Sequence, residues 1–205
     1  MIAVIDYGAG NIKSVLNAIK HVGLEPLVTN NPQEVLTAEK VVFPGVGAAA
    51  STMASLRVLK LDKAIYEYVS SGKPFLGICI GMQVLFDYTE ENGGCNCLGI
   101  IPGRVKKLPA GQKIPHIGWN QVHQVKPHQL FSGIEDNDNF YFVHSYYAHP
   151  GDDSLVLAST FYGIDFCSAI VYGKLVATQF HPEKSGKNGL KIYENFLFGS
   201  GGMKY

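Results

Sequence analysis

A chain of 205 residues with 46% apolar and 17% charged side chains can bury a large core. Its 17 basic and 17 acidic side chains cancel, which argues against nucleic acid or a membrane surface as an electrostatic partner. Four cysteines are too few for a disulfide scaffold, no window has transmembrane length, and the N-terminus opens into a strand rather than a signal peptide; the expected setting is a reducing cytoplasm.

Ile2 to Ile5 is an apolar run of strand length, followed by the turn Asp6-Tyr7-Gly8-Ala9-Gly10-Asn11. A helix is predicted over 12–22, with Val15, Leu16, Ile19 and Val22 at helical spacing. Gly8-x-Gly10 invites a dinucleotide-binding reading. Lys13 stands where the third glycine would be and no acid closes the next strand, so a surface loop at a partner interface is preferred. Residues 25–29 read as a second strand, Pro32 to Ala38 as a helix with proline in its first turn, and Lys40 to Phe43 as a third strand. This alternation predicts a parallel sheet with right-handed crossovers. Pro44-Gly45-Val46-Gly47 closes the third strand before a long helical region broken near Lys60. Phe75 to Ile78 is a fourth strand, and Ile80 to Phe86 continues at helical spacing. Parallel strands ending in Gly-rich loops gather those loops along one edge, where such folds bind ligands.

After Asp87 the texture changes. Residues 93–97 read as loop, 98–108 and 118–125 as strands, and 127–131 as a helical turn. Further strands are predicted over 140–147, 155–162, 167–172 and 175–180, the last two joined by a tight turn at Gly173-Lys174. A final helix runs from Ser185, as its N-cap, to Phe198, leaving 199–205 as a disordered tail. The expected fold class is α/β: an open, mostly parallel, flavodoxin-like central sheet flanked by helices, with additional antiparallel strands in the C-terminal half. With no repeat and no linker, residues 1–205 read as a single domain.

The chemistry centres on Lys73-Pro74-Phe75-Leu76-Gly77-Ile78-Cys79-Ile80-Gly81-Met82-Gln83. Gly77 and Gly81 bracket Cys79 in a small-x-nucleophile-x-small arrangement, the pattern of a strand-to-helix nucleophile elbow. A helix N-terminus there would favour a thiolate. The other reading is a buried cysteine packed as a small hydrophobe. A nucleophile needs a base, and the base an orienting acceptor. Gln179-Phe180-His181-Pro182-Glu183 supplies both at the end of the last strand, on the edge expected for Cys79. Pro182 restricts His181 to extended backbone angles, which lets Glu183 fold back onto the imidazole.

Together, Gly77-Ile78-Cys79-Ile80-Gly81-Met82-Gln83 and His181-Pro182-Glu183 resemble the class I (triad) glutamine amidotransferases. Pro44-Gly45-Val46-Gly47 resembles that family's oxyanion loop, and the likeness spans nearly the whole chain without a departure at the triad. Asp6–Asn11, Pro115-His116-Ile117-Gly118-Trp119-Asn120, Phe142-Val143-His144-Ser145-Tyr146 and Glu183-Lys184-Ser185-Gly186 narrow it to the glutaminase subunits of imidazole glycerol phosphate synthase. The resemblance implies hydrolysis of L-glutamine to glutamate and ammonia through a cysteine thioester on Cys79, His181 and Glu183. The ammonia would pass to a barrel-shaped cyclase subunit of the HisF type, forming a heterodimer in histidine biosynthesis, with no cofactor and no metal. It further implies an oxyanion hole at Gly45, Val46 and Ile80. Gly47, Gln83, Ser145 and Tyr146 would bind substrate, and Asn11, Trp119, Tyr141 and Lys184 would meet the partner. The glycines at 45 and 47 also allow a peptide flip, so the loop is expected to be unformed in the free subunit and completed by the partner.

Blander readings stand beside these. Gln83 could also be a helix-surface amide, Trp119 ordinary core although Gly118-Trp119-Asn120 reads as an exposed turn, and Lys184 a solvated lysine. Cys95-x-Cys97 has no second pair, which disfavours zinc, and Cys167 reads as core. The alternatives in function are the glutaminase of another amidotransferase, a related cysteine hydrolase or peptidase, and an inactive scaffold. Peptidases of related architecture place histidine directly after the cysteine, where this chain has Ile80.

Overall fold

The computed structural model describes residues 1–8 and 12–199. The first half alternates as its apolar runs predict. Strand β1 (Ile2–Ile5) leads to α1 (Ile12–His21), β2 (Leu27–Thr29) to α2 (Pro32–Thr37), and β3 (Lys40–Phe43) to α3 (Ala49–Val58) and α4 (Leu61–Ser70). Asn31 caps α2, its side chain accepting from the Gln33 N–H. The break between α3 and α4 falls at Lys60, which adopts left-handed angles (φ 58°, ψ 20°). Strand β4 (Phe75–Ile78) follows, buried along its whole length as a central parallel strand must be.

Beyond Cys79 the structure departs from the helical spacing. Helix α5 (Ile80–Gln83) is a single turn, and Phe86–Thr89 is strand β5. Leu85, in the turn before β5, and Phe86, at its start, are fully buried, so their apolar spacing serves the core there rather than a second helical turn. A short strand β6 (Cys95–Asn96) precedes β7 (Ile101–Lys107) and β8 (His116–Gln124). The stretch predicted as one strand over 140–147 is two. Strand β9 (Asp138–His144) pairs with β8, whereas β10 (Tyr146–Pro150) pairs with β7, and Ser145 is the point of exchange. Strands β11 (Val156–Phe161), β12 (Asp165–Tyr172) and β13 (Leu175–Thr178) lead to α6 (Gly186–Gly199). Residue 199 is thus the end of a helix and not the start of a tail; 200–205 lie outside the described residues.

The sheet runs β2-β1-β3-β4-β13-β12-β10-β7-β5-β6. Its first five strands are parallel, and β13 to β12 begins a largely antiparallel extension, in which β5 runs parallel to β7, carrying β8, β9 and β11. Helix α1 contacts α6, while α2 and α3 contact α4. Two pairings set the site. Phe43 lies opposite Gly77, and Ile78 lies opposite Thr178. The loop after β3, the turn after β4 and the segment after β13 therefore leave the sheet side by side.

Among the described residues, no helix is long and apolar enough to cross a membrane.

Candidate active site

Cys79 stands between β4 and α5 with φ 54° and ψ −107°, a conformation that side chains other than glycine seldom adopt. Such strain costs about 1–3 kcal/mol and persists only where neighbours over-determine it. Here the Cys79 N–H donates to the Thr178 carbonyl at 2.7 Å, and the Cys79 carbonyl accepts from Met82 and Gln83 N–H, each at 3.0 Å. The bracketing glycines make room. A Cβ on Gly81 would sit 2.1 Å from the Phe43 carbonyl oxygen, and one on Gly77 2.7 Å from the Gly81 carbonyl oxygen. A four-residue helix carries little dipole, so the expected help from a helix N-terminus is small.

A cavity of about 390 Å³ opens over this turn. Its walls include Cys79, Ile80, Gln83, Val46, Gly47, Ser145, Tyr146, His181 and Lys184, so the stretches singled out in the sequence meet there. Beyond β13, the period of two puts Gln179 and His181 on one face and Phe180 on the other. Phe180 is fully buried against Phe140 and Phe142, with ring centroids 4.3 and 5.8 Å away. That anchor points Gln179 and His181 toward the cysteine.

His181 Nδ1 lies 2.7 Å from Glu183 Oε1, with both side chains almost fully buried. Pro182–Lys184 forms a 3-10 turn that brings the carboxylate back. Burial opposes charging of the imidazole. The charge on Cys79 and the Glu183 carboxylate outweigh it, so the His181 pKa rises to about 10. The direction is toward the charged imidazole, while Nε2, also buried, forms no hydrogen bond among the described residues. Ser185 stands just before α6, its carbonyl accepting from the Gly189 N–H at 3.2 Å, and its hydroxyl also locks the base: it donates to the His181 carbonyl at 2.7 Å and accepts from the Tyr141 N–H at 3.0 Å.

The oxyanion loop passes tightly over the elbow. A Cβ on Gly45 would lie 2.8 Å from both Gly81 N and Ile80 Cβ. Gly47 has φ +101° and open space around it. The Ile80 N–H is at the start of α5, where no intrahelical acceptor exists. The Val46 N–H lies toward the Tyr7 hydroxyl, although the contact falls short of a well-formed hydrogen bond. Burial pushes that hydroxyl up to about 12.

Gln83 is no surface amide; it is 2% exposed. Its Nε2 donates to the Tyr146 carbonyl at 2.8 Å and to Gln179 Oε1 at 2.9 Å, which leaves Oε1 as its free polar atom. Trp119 is likewise no core residue, being 57% exposed on β8. Its ring meets Tyr141 edge-on at 6.1 Å, and the Lys184 ammonium lies 5.7 Å from the Tyr141 ring centre. Three of the four expected partner contacts therefore form one cluster beside the cavity. The fourth, Asn11, lies outside the described residues, as does Gly10 of the Gly8-x-Gly10 pair.

Two residues escaped the sequence reading. Glu91 lines the cavity, and its carboxylate accepts from the Ala49 N–H at 2.6 Å, tying the site to the start of α3. Gln179 donates to the Cys79 sulfur at 3.6 Å. Glu91 sits in a loop without a motif; Gln179 adjoins His181, and the period of two was the available signal. Cys97 is pushed up to about 12 by burial and by Cys95, and Cys167 is buried. Among the described residues, no group of three His, Cys, Asp or Glu side chains could hold a metal ion.

Comparison with known proteins identifies the family. The family model for glutamine amidotransferase class-I matches residues 3–199. The chain is 58% identical over 197 residues to "Imidazole glycerol phosphate synthase subunit HisH" of Dehalococcoides mccartyi (strain CBDB1), covering 96% of each protein. It is 49% identical to the HisH subunit of Methanothermobacter thermautotrophicus, covering 96% of this chain and 98% of that protein. In fold it resembles a crystal structure of a glutamine amidotransferase, with TM-score 0.76 and 17% identity over 96% of this chain and 97% of the other. A chain of PurLQS from Thermotoga maritima also gives TM-score 0.76, at 18% identity and 96% coverage of each. This chain belongs to the class-I glutamine amidotransferase family, among its HisH members.

Proposed function

We propose that this chain is the glutaminase subunit of an imidazole glycerol phosphate synthase: it hydrolyses L-glutamine and hands ammonia to a barrel-shaped cyclase subunit of the HisF type. The observation that carries the catalytic part is the meeting of the Cys79 sulfur and the His181–Glu183 pair at one 390 Å³ cavity. The Cys79 thiolate attacks the side-chain amide carbon of glutamine. The oxyanion then takes N–H donors from Ile80 and the Gly45–Val46 segment, each worth about 2.7–4 kcal/mol of barrier. The His181 imidazolium protonates the departing ammonia, leaving a thioester. His181, now neutral, takes a proton from water, which attacks the thioester and releases glutamate. Gln83 Oε1 and the Glu91 carboxylate are acceptors suited to the substrate's α-ammonium, and Ser145 and Tyr146 line the same cavity.

The partner proposal has support in the Trp119–Tyr141–Lys184 cluster, since an exposed tryptophan beside a tyrosine and a cation is characteristic of an interface anchor. Lys184 also lines the cavity, so ammonia leaving there emerges at that cluster. Gly47, with φ +101° and open space around it, gives this loop room to move, which supports completion of the oxyanion hole by the partner. Four free cysteines suit a reducing cytoplasm.

The test is glutamate release by the purified chain, with and without a HisF-type cyclase. Release that rises with the partner and vanishes in Cys79→Ala is expected. Peptide cleavage in place of glutamine hydrolysis, or silence under both conditions, overturns the reading.

A further inference from the structure

Gln179 takes part in none of the steps above, yet its side chain touches the reacting atom. It is fully buried, and its register partner explains its aim: Thr178 pairs with Ile78, so the next residues, Gln179 and Cys79, leave the sheet together. An amide can present either end to a neighbour, and a chain of hydrogen bonds decides which end faces the sulfur.

The Tyr146 carbonyl, which can only accept, receives Gln83 Nε2 at 2.8 Å and His144 Nδ1 at 2.9 Å. Gln83 therefore shows its NH₂ to the network, and the second hydrogen goes to Gln179 Oε1 at 2.9 Å. That bond spends the oxygen end of Gln179 and leaves Nε2 aimed at Cys79 Sγ, 3.6 Å away. The other branch has the same sense. His144 donates from Nδ1, so its Nε2 accepts from His116 Nδ1 at 2.9 Å, and His116 Nε2 accepts from Asn120 Nδ2 at 3.3 Å. Asn120 is fixed independently, since Nδ2 also donates to the Phe161 carbonyl and Oδ1 accepts the Gln121 N–H. Every donor from Asn120 to Cys79 has one allowed direction.

We propose that Gln179 is a further catalytic residue, whose side-chain N–H donates to the Cys79 sulfur and holds it as a thiolate, with the donor end selected by Gln83 and the Tyr146 carbonyl. The proposal rests on Cys79 being the nucleophile. The sulfur otherwise faces the Val143 carbonyl at 3.9 Å, which offers a thiolate nothing. The titratable groups around it are His181 and Tyr7, from the ends of β13 and β1, with His144, Tyr146, Glu91 and Lys184 lining the same cavity. Gln179 supplies a neutral donor that does not ionise, so it remains in place when His181 gives its proton to ammonia.

The experiment reads sulfur reactivity rather than turnover. Iodoacetamide modification of Cys79 is followed by peptide mass mapping across roughly pH 5 to 9. It compares the full-length wild type with Gln179→Met and Gln179→Glu. Loss of a hydrogen bond to a charged group predicts that Gln179→Met reacts about tenfold more slowly at neutral pH, with its pH profile displaced upward. Gln179→Glu, which places an acceptor and a negative charge there, should be slower still. In the wild type, the Gln179 side-chain amide protons should shift in NMR spectra with the midpoint of Cys79 alkylation. That measurement needs no variant to fold. Wild-type reactivity in a folded Gln179→Met, or amide protons indifferent to Cys79 ionisation, overturns the proposal. Failure of the nucleophile assignment looks different: the wild type would then release no glutamate, or Cys79→Ala would release as much.

Discussion

His181 and Glu183 are two residues apart in the chain and joined by a 2.7 Å contact between Nδ1 and Oε1, sealed from solvent. That geometry fixes the tautomer and leaves Nε2 for the cysteine. Glu183→Gln keeps the size of the side chain and removes the charge that holds the imidazolium. It should lower kcat by about 10²–10⁴-fold, in line with the corresponding change in a serine triad, with little effect on KM. Steady-state glutamine hydrolysis by the complex is the measurement, and an unchanged kcat would remove Glu183 from the mechanism.

The buried pair His116 and His144 makes stability depend on pH. Burial lowers their pKa values from 6.5 to about 4 and about 3, so both are neutral in the folded state. Below pH 6.5 the unfolded chain takes up protons that the folded chain refuses. Stability should therefore fall with pH between about 6.5 and 4, by up to about 1.4 kcal/mol per pH unit for each histidine. His181 acts oppositely: its raised pKa gives stability fully present below 6.5 and lost as pH rises through about 10. It adds no loss on the acid side. Urea unfolding at several pH values gives the slope, and a flat profile over the acid window contradicts the neutral pair.

Gly81 and Gly47 should respond differently to alanine. At Gly81 the new Cβ would meet the Phe43 backbone at 2.1 Å, so β3 and the elbow must separate. Gly81→Ala should lose about 1–3 kcal/mol or more of stability together with activity. At Gly47 there is room, and the cost is the φ of +101° alone. Gly47→Ala should keep the fold nearly intact and lose activity through altered loop geometry. Thermal melts paired with glutaminase rates separate the two, and equal destabilisation would refute the contrast.

Trp119 projects from β8 with more than half its surface exposed. Trp119→Ala should leave the melting temperature of the free chain within a degree or two. If it anchors the cyclase, affinity should fall by about 30-fold or more, the effect of a hot-spot residue worth about 2 kcal/mol. Titration of the partner by calorimetry decides, and unchanged affinity would place the interface elsewhere.

The amino-acid sequence alone determined the parallel half of the sheet, the sharp turn at Cys79 and the His181–Glu183 hook. Each is written locally, in a short apolar run, a pair of glycines or a proline that restricts its neighbour. Tertiary structure decided the rest. Whether Phe86 continued a helix or began β5 depended on which elements would cover it, since apolar spacing serves either. Whether Gln179 faced the sulfur, Glu91 reached the cavity and Ser145 divided one strand into two depended on register and on partners far along the chain. A residue's type limits the bonds it can make; only the packed strands choose which of those bonds are made.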